Sequence, residues 1–293
     1  MKKILLCSDG STFAENTYRY GAWFADRLKA EVDVLCVSDI RGQQTSKQNL
    51  SGSIGIDAKE NLLNRLVELE HEKAKINYQR TKLVLQEAAK TLKAEGVDRI
   101  SLLHETGFLV DCLEKFEASC DLVVIGKRGE AAEFASGHLG ANIERIVRSS
   151  HKPCLVTSDR FKPIERVLVA YDNSPTGQKI IQFIADSSIF KDSELHIVTA
   201  AKSVAEQAAM PSAEVAIAQI ELVEQQLQQA GFEPICSVIE GHSEKVISNY
   251  ISDRDISLLL MGAYGHSRIR HLVIGSTTAQ MLRSSDIPVL LFR

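Results

Sequence analysis

The chain has 293 residues, 44% of them hydrophobic and 25% charged, with a formal net charge of −4. That length suits about two domains of ordinary core size, and the scattered Lys and Arg exclude the dense basic face on which nucleic-acid binding depends. No apolar run approaches the ~20 residues of a membrane span, and the apolar start Ile4 to Cys7 breaks at Ser8-Asp9-Gly10 before a signal-peptide core develops, so a cytoplasmic protein without a membrane partner is expected.

In chain order, short Val/Ile/Leu-rich runs alternate with helical patterns. Strands are predicted at 3–8, 32–38, 99–104, 121–126 and 153–157, and again at 166–171, 194–199, 234–240, 256–262 and 288–292. The runs are near-continuous rather than alternating, as expected when helices cover both faces of a parallel sheet. Each half therefore reads β-α-β-α-β-α-β-α-β, an α/β class with two tandem doubly wound parallel sheets that place ligands at the carboxyl ends of their strands. The boundary falls in the polar, proline-ended stretch 158–163, giving expected domains at 1–158 and 164–293.

The halves also align with each other. Lys3-Ile-Leu-Leu-Cys-Ser-Asp9-Gly-Ser11 matches Arg166-Val-Leu-Val-Ala-Tyr-Asp172-Asn-Ser174. Asp121-Leu-Val-Val-Ile-Gly126-Lys-Arg-Gly129 matches Ser257-Leu-Leu-Leu-Met-Gly262-Ala-Tyr-Gly265, and Lys152-Pro153 matches Ile287-Pro288. The spacing differs at one place above all: the first half carries an excess at about 41–75, a Gln/Ser/Gly-rich loop at 42–55 followed by a long helical pattern at 59–95 with Leu62, Leu66, Leu69, Ile76 and Leu83 at mostly three- and four-residue steps. The loop is expected to be mobile. The helix suits packing against the domain or against a partner chain.

Cysteine and histidine offer little chemistry. Cys7, Cys36, Cys112, Cys120, Cys154 and Cys236 include no C-x-x-C pair, and several lie in strand-like apolar runs, so buried reduced thiols are expected. His266 and His271 lack a partner at ligand spacing, so no zinc site is expected.

The second half holds the one sharp motif. Gly262-x2-Gly265 is followed by Gly275-Ser276-Thr277, so that the first glycine ends a strand and the last opens a helix. Glycines let the backbone approach anionic oxygens, the helix start offers unpaired N–H groups and the positive end of its dipole, and two hydroxyls stand beside it. A plainer reading makes Asp172 a helix cap and the glycines turn-formers. In the first half, Gly126 and Gly129 are followed by Gly140 one residue late, and Ala141-Asn142 replace the hydroxyl pair. A degenerate site is expected there, although Asp9 and Val37 persist and Lys127 with Arg128 could attract an anion.

The motif from Gly262 to Ser276, the strand-end Asp172 and the closing Asp286-Ile287-Pro288-Val289-Leu290-Leu291 resemble the ATP-binding class of universal stress proteins, and the resemblance spans both halves. It implies Rossmann-like five-stranded sheets of order 3-2-1-4-5. It implies ATP, with Mg2+ as a companion of the phosphates, held by Asp172 and Val198 at the adenosine end. Gly262, Gly265, His266, Gly275, Ser276 and Thr277 would surround ribose and phosphates. Members of the family dimerise through their last strands, which here could pair within one chain as a pseudo-dimer, with a homodimer as a further arrangement.

No P-loop, kinase signature or assignable catalytic residue is present. The expected output is conformational or interactive, through an unidentified protein partner, with at most slow hydrolysis or autophosphorylation. The rival from another class is a structural protein of the same fold that binds no nucleotide. An ATP pyrophosphatase would need a Ser-Gly-Gly-x-Asp-Ser loop that the chain lacks.

Overall fold

The computed structural model describes residues 3–39, 56–129, 141–201, 212–264 and 274–293, with the backbone alone for 39, 56–63, 141 and 142. In chain order the first half runs β1 (Lys3–Ser8), α1 (Ala14–Leu28), β2 (Glu31–Asp39), α2 (Ile56–Ala94), β3 (Ile100–Gly107), α3 (Leu109–Glu117), β4 (Leu122–Gly126), α4 (Ala141–Ser149) and β5 (Cys154–Thr157). The second runs β6 (Arg166–Ala170), α5 (Pro175–Asp186), β7 (Glu194–Ala201), α6 (Ala213–Gln229), β8 (Ile235–Glu240), α7 (Ser243–Asp253), β9 (Leu258–Gly262), α8 (Ser276–Ser284) and β10 (Val289–Phe292). All ten predicted strands are present. The Gln/Ser/Gly-rich loop at 42–55 lies outside the described residues.

The strands form one sheet in the order β3-β2-β1-β4-β5-β10-β9-β6-β7-β8. Each half therefore has the order 3-2-1-4-5, parallel throughout. The halves meet where β5 and β10 pair antiparallel, with Cys154, Leu155 and Val156 opposite Leu291, Leu290 and Val289. That pairing removes two open edges from the molecule.

Strand alternation sorts the side chains onto two faces. Ile4, Leu6, Val32, Val34, Val167 and Val169 join Phe24, Leu92, Ile180 and Leu227 in a core under α1, α2, α5 and α6. Leu5, Cys7, Leu35, Leu168 and Leu259 join Leu113, Ile146, Ile247 and Met281 in a second core under α3, α4, α7 and α8. Both cores run across the β5–β10 seam, so the halves share apolar burial as well as a sheet. The outer side of α2 is the exception, and residues 64–80 contain no buried side chain.

Candidate functional site

In the second half the chain moves outward from β6 to β7 and β8, then crosses back to β9 on the other side of β6. The strand order reverses between β6 and β9, where ligands enter sheets of this kind. Asp172 follows β6 and Gly262 ends β9, so the structure brings both to the reversal. Asn173 takes a left-handed backbone, φ 55°, which turns the chain sharply into α5. Asp172 Oδ1 accepts the Ser174 N–H at 3.0 Å, and Ser174 Oγ accepts the Gly177 N–H at 3.0 Å, capping α5 ahead of Pro175. Asp172 thus shapes the turn, while the helix cap that the plainer sequence reading assigns to it is made by Ser174.

The glycine motif is in contact with that turn. A Cβ on Gly262 would stand 3.3 Å from Thr176 Cγ2 in the first turn of α5, and one on Gly177 would stand 3.0 Å from Asp172 Oδ1. From the other side Thr278 Oγ1 donates to the Gly262 carbonyl at 2.9 Å, and the Gly275 N–H donates to the Ala263 carbonyl at 3.2 Å. Gly275 is the N-cap of α8 and makes no side-chain cap, so the cap residue itself places no hydroxyl or carboxylate over the first-turn amides of that helix. Ser276 is exposed and Thr277 half-buried at this end.

Two predicted residues, Gly265 and His266, lie outside the described residues. Val198 is placed differently from the others. Its side chain is buried in the core under α7 and α8, and its carbonyl accepts the Tyr171 N–H at 2.9 Å, within the ladder that joins β7 to β6 and β8. β7 continues three residues beyond it, and the next residue, Thr199, was not anticipated. Thr199 is buried, and its Oγ1 has no hydrogen-bond partner among the described residues. Thr278 and Thr199 escaped the sequence because one acts by pinning a carbonyl and the other by burial, and neither has a spacing signature.

These features suit a phosphate-bearing ligand. A Cβ at Gly262 would crowd Thr176, the start of α8 carries the positive end of a helix dipole with no side-chain cap from Gly275, and at the carboxyl end of β7 the buried Thr199 hydroxyl has no partner among the described residues.

The equivalent edge of the first half is built otherwise. A Cβ on Gly129 would stand 2.6 Å from Asp9 Oδ2, so the Asp9 carboxylate lies directly against the loop after β4. Gly10 has φ +71°, and a Cβ there would overlap Val84 Cγ2 of α2, which places that helix over the β1–α1 turn. The two cations are engaged. Lys127 Nζ donates to the Ser285 carbonyl at the end of α8 at 2.7 Å, and burial lowers its pKa. Arg128 Nε pairs with Asp159 at 3.0 Å, its guanidinium 5.9 Å from the Phe13 ring centre.

The loops after β4 and β9 therefore reach across the seam. Opposite Lys127, Tyr264 Oη donates to the carbonyls of Arg148 at 3.0 Å and Val147 at 3.3 Å, at the end of α4. The Arg293 guanidinium donates to the Arg148 carbonyl at 3.2 Å and lies 5.3 Å from the Tyr264 ring centre. Each half closes a helix end of the other.

The thiols are chemically quiet. All six are free and five are buried, and burial pushes Cys7 and Cys236 up to about 12 and Cys120 up to about 11. A thiol so far above neutrality carries almost no thiolate.

Comparison with known proteins gives a consistent picture. The model of the universal stress protein family matches twice, over residues 1–158 and 163–293. Universal stress protein Slr1230 of Synechocystis sp. (strain ATCC 27184 / PCC 6803 / Kazusa) is 53% identical over 294 residues, covering all of both chains. A universal stress protein from Archaeoglobus fulgidus DSM 4304 superposes with a TM-score of 0.71 at 21% identity, covering 99% of this chain and 98% of its own, a likeness of fold.

Proposed function

This chain belongs to the universal stress protein family, and from that premise we propose that it is a nucleotide-dependent sensor or interaction module that binds one ATP per chain. The site is the carboxyl edge of 164–293, and the domain 1–158 carries a degenerate counterpart. The observation that carries this reading is the set of contacts joining Asp172, Gly177, Thr176, Gly262 and Thr278 at the strand-order reversal, beside the uncapped start of α8.

In this reading the amides of the first turn of α8, with Ser276 and Thr277, take the phosphates. Gly262 allows the close approach, Gly265 and His266 complete the loop, and Mg2+ accompanies the phosphates. Asp172 and the main chain at Val198 take the adenosine end, with the Thr199 hydroxyl beside them. No residue is assigned a catalytic role, so the output is a change of conformation or contact, with hydrolysis slow at most. In 1–158 the space beside Asp9 is narrowed by the Gly129 loop and by Val84, and Lys127 and Arg128 are committed elsewhere, which supports a single site.

Isothermal titration of the full chain with ATP and Mg2+ tests the proposal. The expected stoichiometry is about one, and Gly275→Val, which disturbs the start of α8, abolishes binding. Two equivalents would overturn the degenerate assignment, equal affinity of the variant would overturn the site, and no binding at millimolar ATP would favour a structural protein of this fold.

A further inference from the structure

Helix α2 has two apolar faces, and the sheet uses one. Thr81, Leu85, Ala88 and Leu92 are buried against the first half, and Tyr78 lies 5.4 Å from the His104 ring on the same side. On the opposite side Leu69, Ile76 and Leu83 recur at intervals of seven, with Leu66, Lys73 and Arg80 preceding each of them at the alternate three- and four-residue steps. In heptad terms the first set occupies d and the second a, while Tyr78, Leu85 and Leu92 occupy f, across the helix from the seam. Ile76 is 63% and Leu83 66% exposed. Every side chain from 64 to 80 except Leu66 is exposed, and Leu66 is half-buried, so this stretch of about 25 Å buries no side chain against the described chain, although Tyr78 reaches the His104 ring.

A strict seven-residue apolar repeat is the period of a left-handed coiled coil, whereas a helix facing only its own domain drifts at 3.6. An isolated helix gains little from exposed Leu and Ile, and the stripe is stabilised by a second helix. We propose that α2 pairs with α2 of a second copy of this chain, antiparallel, about a two-fold axis between residues 74 and 75.

The charges select that occupant and that direction. Parallel pairing would stack Lys73 on Lys73 and Arg80 on Arg80 of the second copy. Antiparallel pairing sets Leu66 against Leu83, Leu69 against Arg80 and Lys73 against Ile76, each twice by symmetry. Every basic residue of the seam then meets an apolar one, along which its stem can lie. Glu70 of one helix falls level with Arg80 of the other on the same side of the seam. The flanking positions pair Glu70 with Asn77 and Glu72 with Gln79, so no like charges oppose. The same two-fold puts the globular bodies at opposite ends of the paired helices, and the contact is isologous, closing as a dimer.

Sedimentation equilibrium of the full chain between 1 and 100 µM should show a monomer–dimer equilibrium. Leu69→Lys combined with Ile76→Lys should weaken it at least tenfold while leaving the circular dichroism unchanged, because both residues are exposed. Leu66→Cys with Leu83→Cys should cross-link the dimer under mild oxidation, and Leu66→Cys alone should not. The native thiols are held protonated or buried and do not compete. A monomer at 100 µM, even one that captures some other protein, overturns the proposal. So does a dimer insensitive to the two lysines, or cross-linking through Leu66→Cys alone, which would make the pair parallel. None of these outcomes depends on whether ATP binds.

Discussion

Two positions show how single side chains are decided by surroundings that the local sequence does not display. Thr199 holds a hydroxyl without a partner among the described residues, and a buried hydroxyl left unsatisfied costs about 1–3 kcal/mol. In the first half the matching residue, Ser38, has partners: Thr81 Oγ1 at 3.1 Å and His104 Nε2 at 3.0 Å. The second half places Ala216 and Cys236 in the corresponding positions, so the hydroxyl has lost the groups that would satisfy it. Thr199→Val keeps the shape and removes the penalty. Urea unfolding should show the variant about 1 kcal/mol more stable, and titration should show weaker nucleotide binding. A variant less stable than wild type would mean that the hydroxyl is satisfied in solution and the site reading has one support fewer.

At the scale of elements, the loops after β4 and β9 act as reciprocal caps. Lys127 places an ammonium on the Ser285 carbonyl at the end of α8, where the helix dipole is negative, and against this stands the desolvation that lowers its pKa. A hydrogen bond to a charged group contributes about 1.5–3 kcal/mol, and an unsatisfied buried carbonyl costs a similar amount, so the contact should win. Lys127→Met is expected to lower the unfolding free energy by about 1–2 kcal/mol in urea titration. A change under about 0.5 kcal/mol would instead place it with exposed ion pairs, whose net contribution is small. Tyr264 and Arg293 make the mirror contact on α4. Tyr264 immediately precedes Gly265, so the loop that the sequence assigns to phosphate is also a structural strut between halves.

At the scale of the whole molecule, one sheet and two cores span both halves, so unfolding should be a single cooperative transition despite the internal repeat. Alkaline pH should weaken it. Cys7 and Cys236 titrate at about 12 in the folded chain against an ordinary 9.0, and Tyr18 and Tyr171 at about 12 against 10.0, in each case mainly through burial. Between the two values the unfolded chain has released a proton that the folded chain keeps. Stability is therefore full below about pH 9 and falls as pH rises, by up to about 1.4 kcal/mol per pH unit for each such group. Denaturant unfolding at pH 7 to 10.5 checks this, and a flat profile above pH 9 would contradict the burial of the thiols. Two resolved thermal transitions at pH 7 would show the halves to be independent.

The sequence by itself determined the repeat, the alternation of strand and helix, and the place of the glycine motif, because buried parallel strands demand unbroken apolar runs and a strand-to-helix glycine turn leaves a fixed spacing. Its reading of the first half as altered also came from spacing, at Gly140, Ala141 and Asn142. Tertiary structure alone decided what Lys127, Arg128 and Tyr264 do, since their partners lie on the other half of the chain and no periodicity records a contact across a seam. It turned Val198 into a core side chain and exposed the unmet hydroxyl of Thr199, because satisfaction of a polar group depends on neighbours brought from three separate elements. It also separated the two faces of α2, which the sequence shows as one helical pattern and the fold divides into a side that packs on its own sheet and a side that does not.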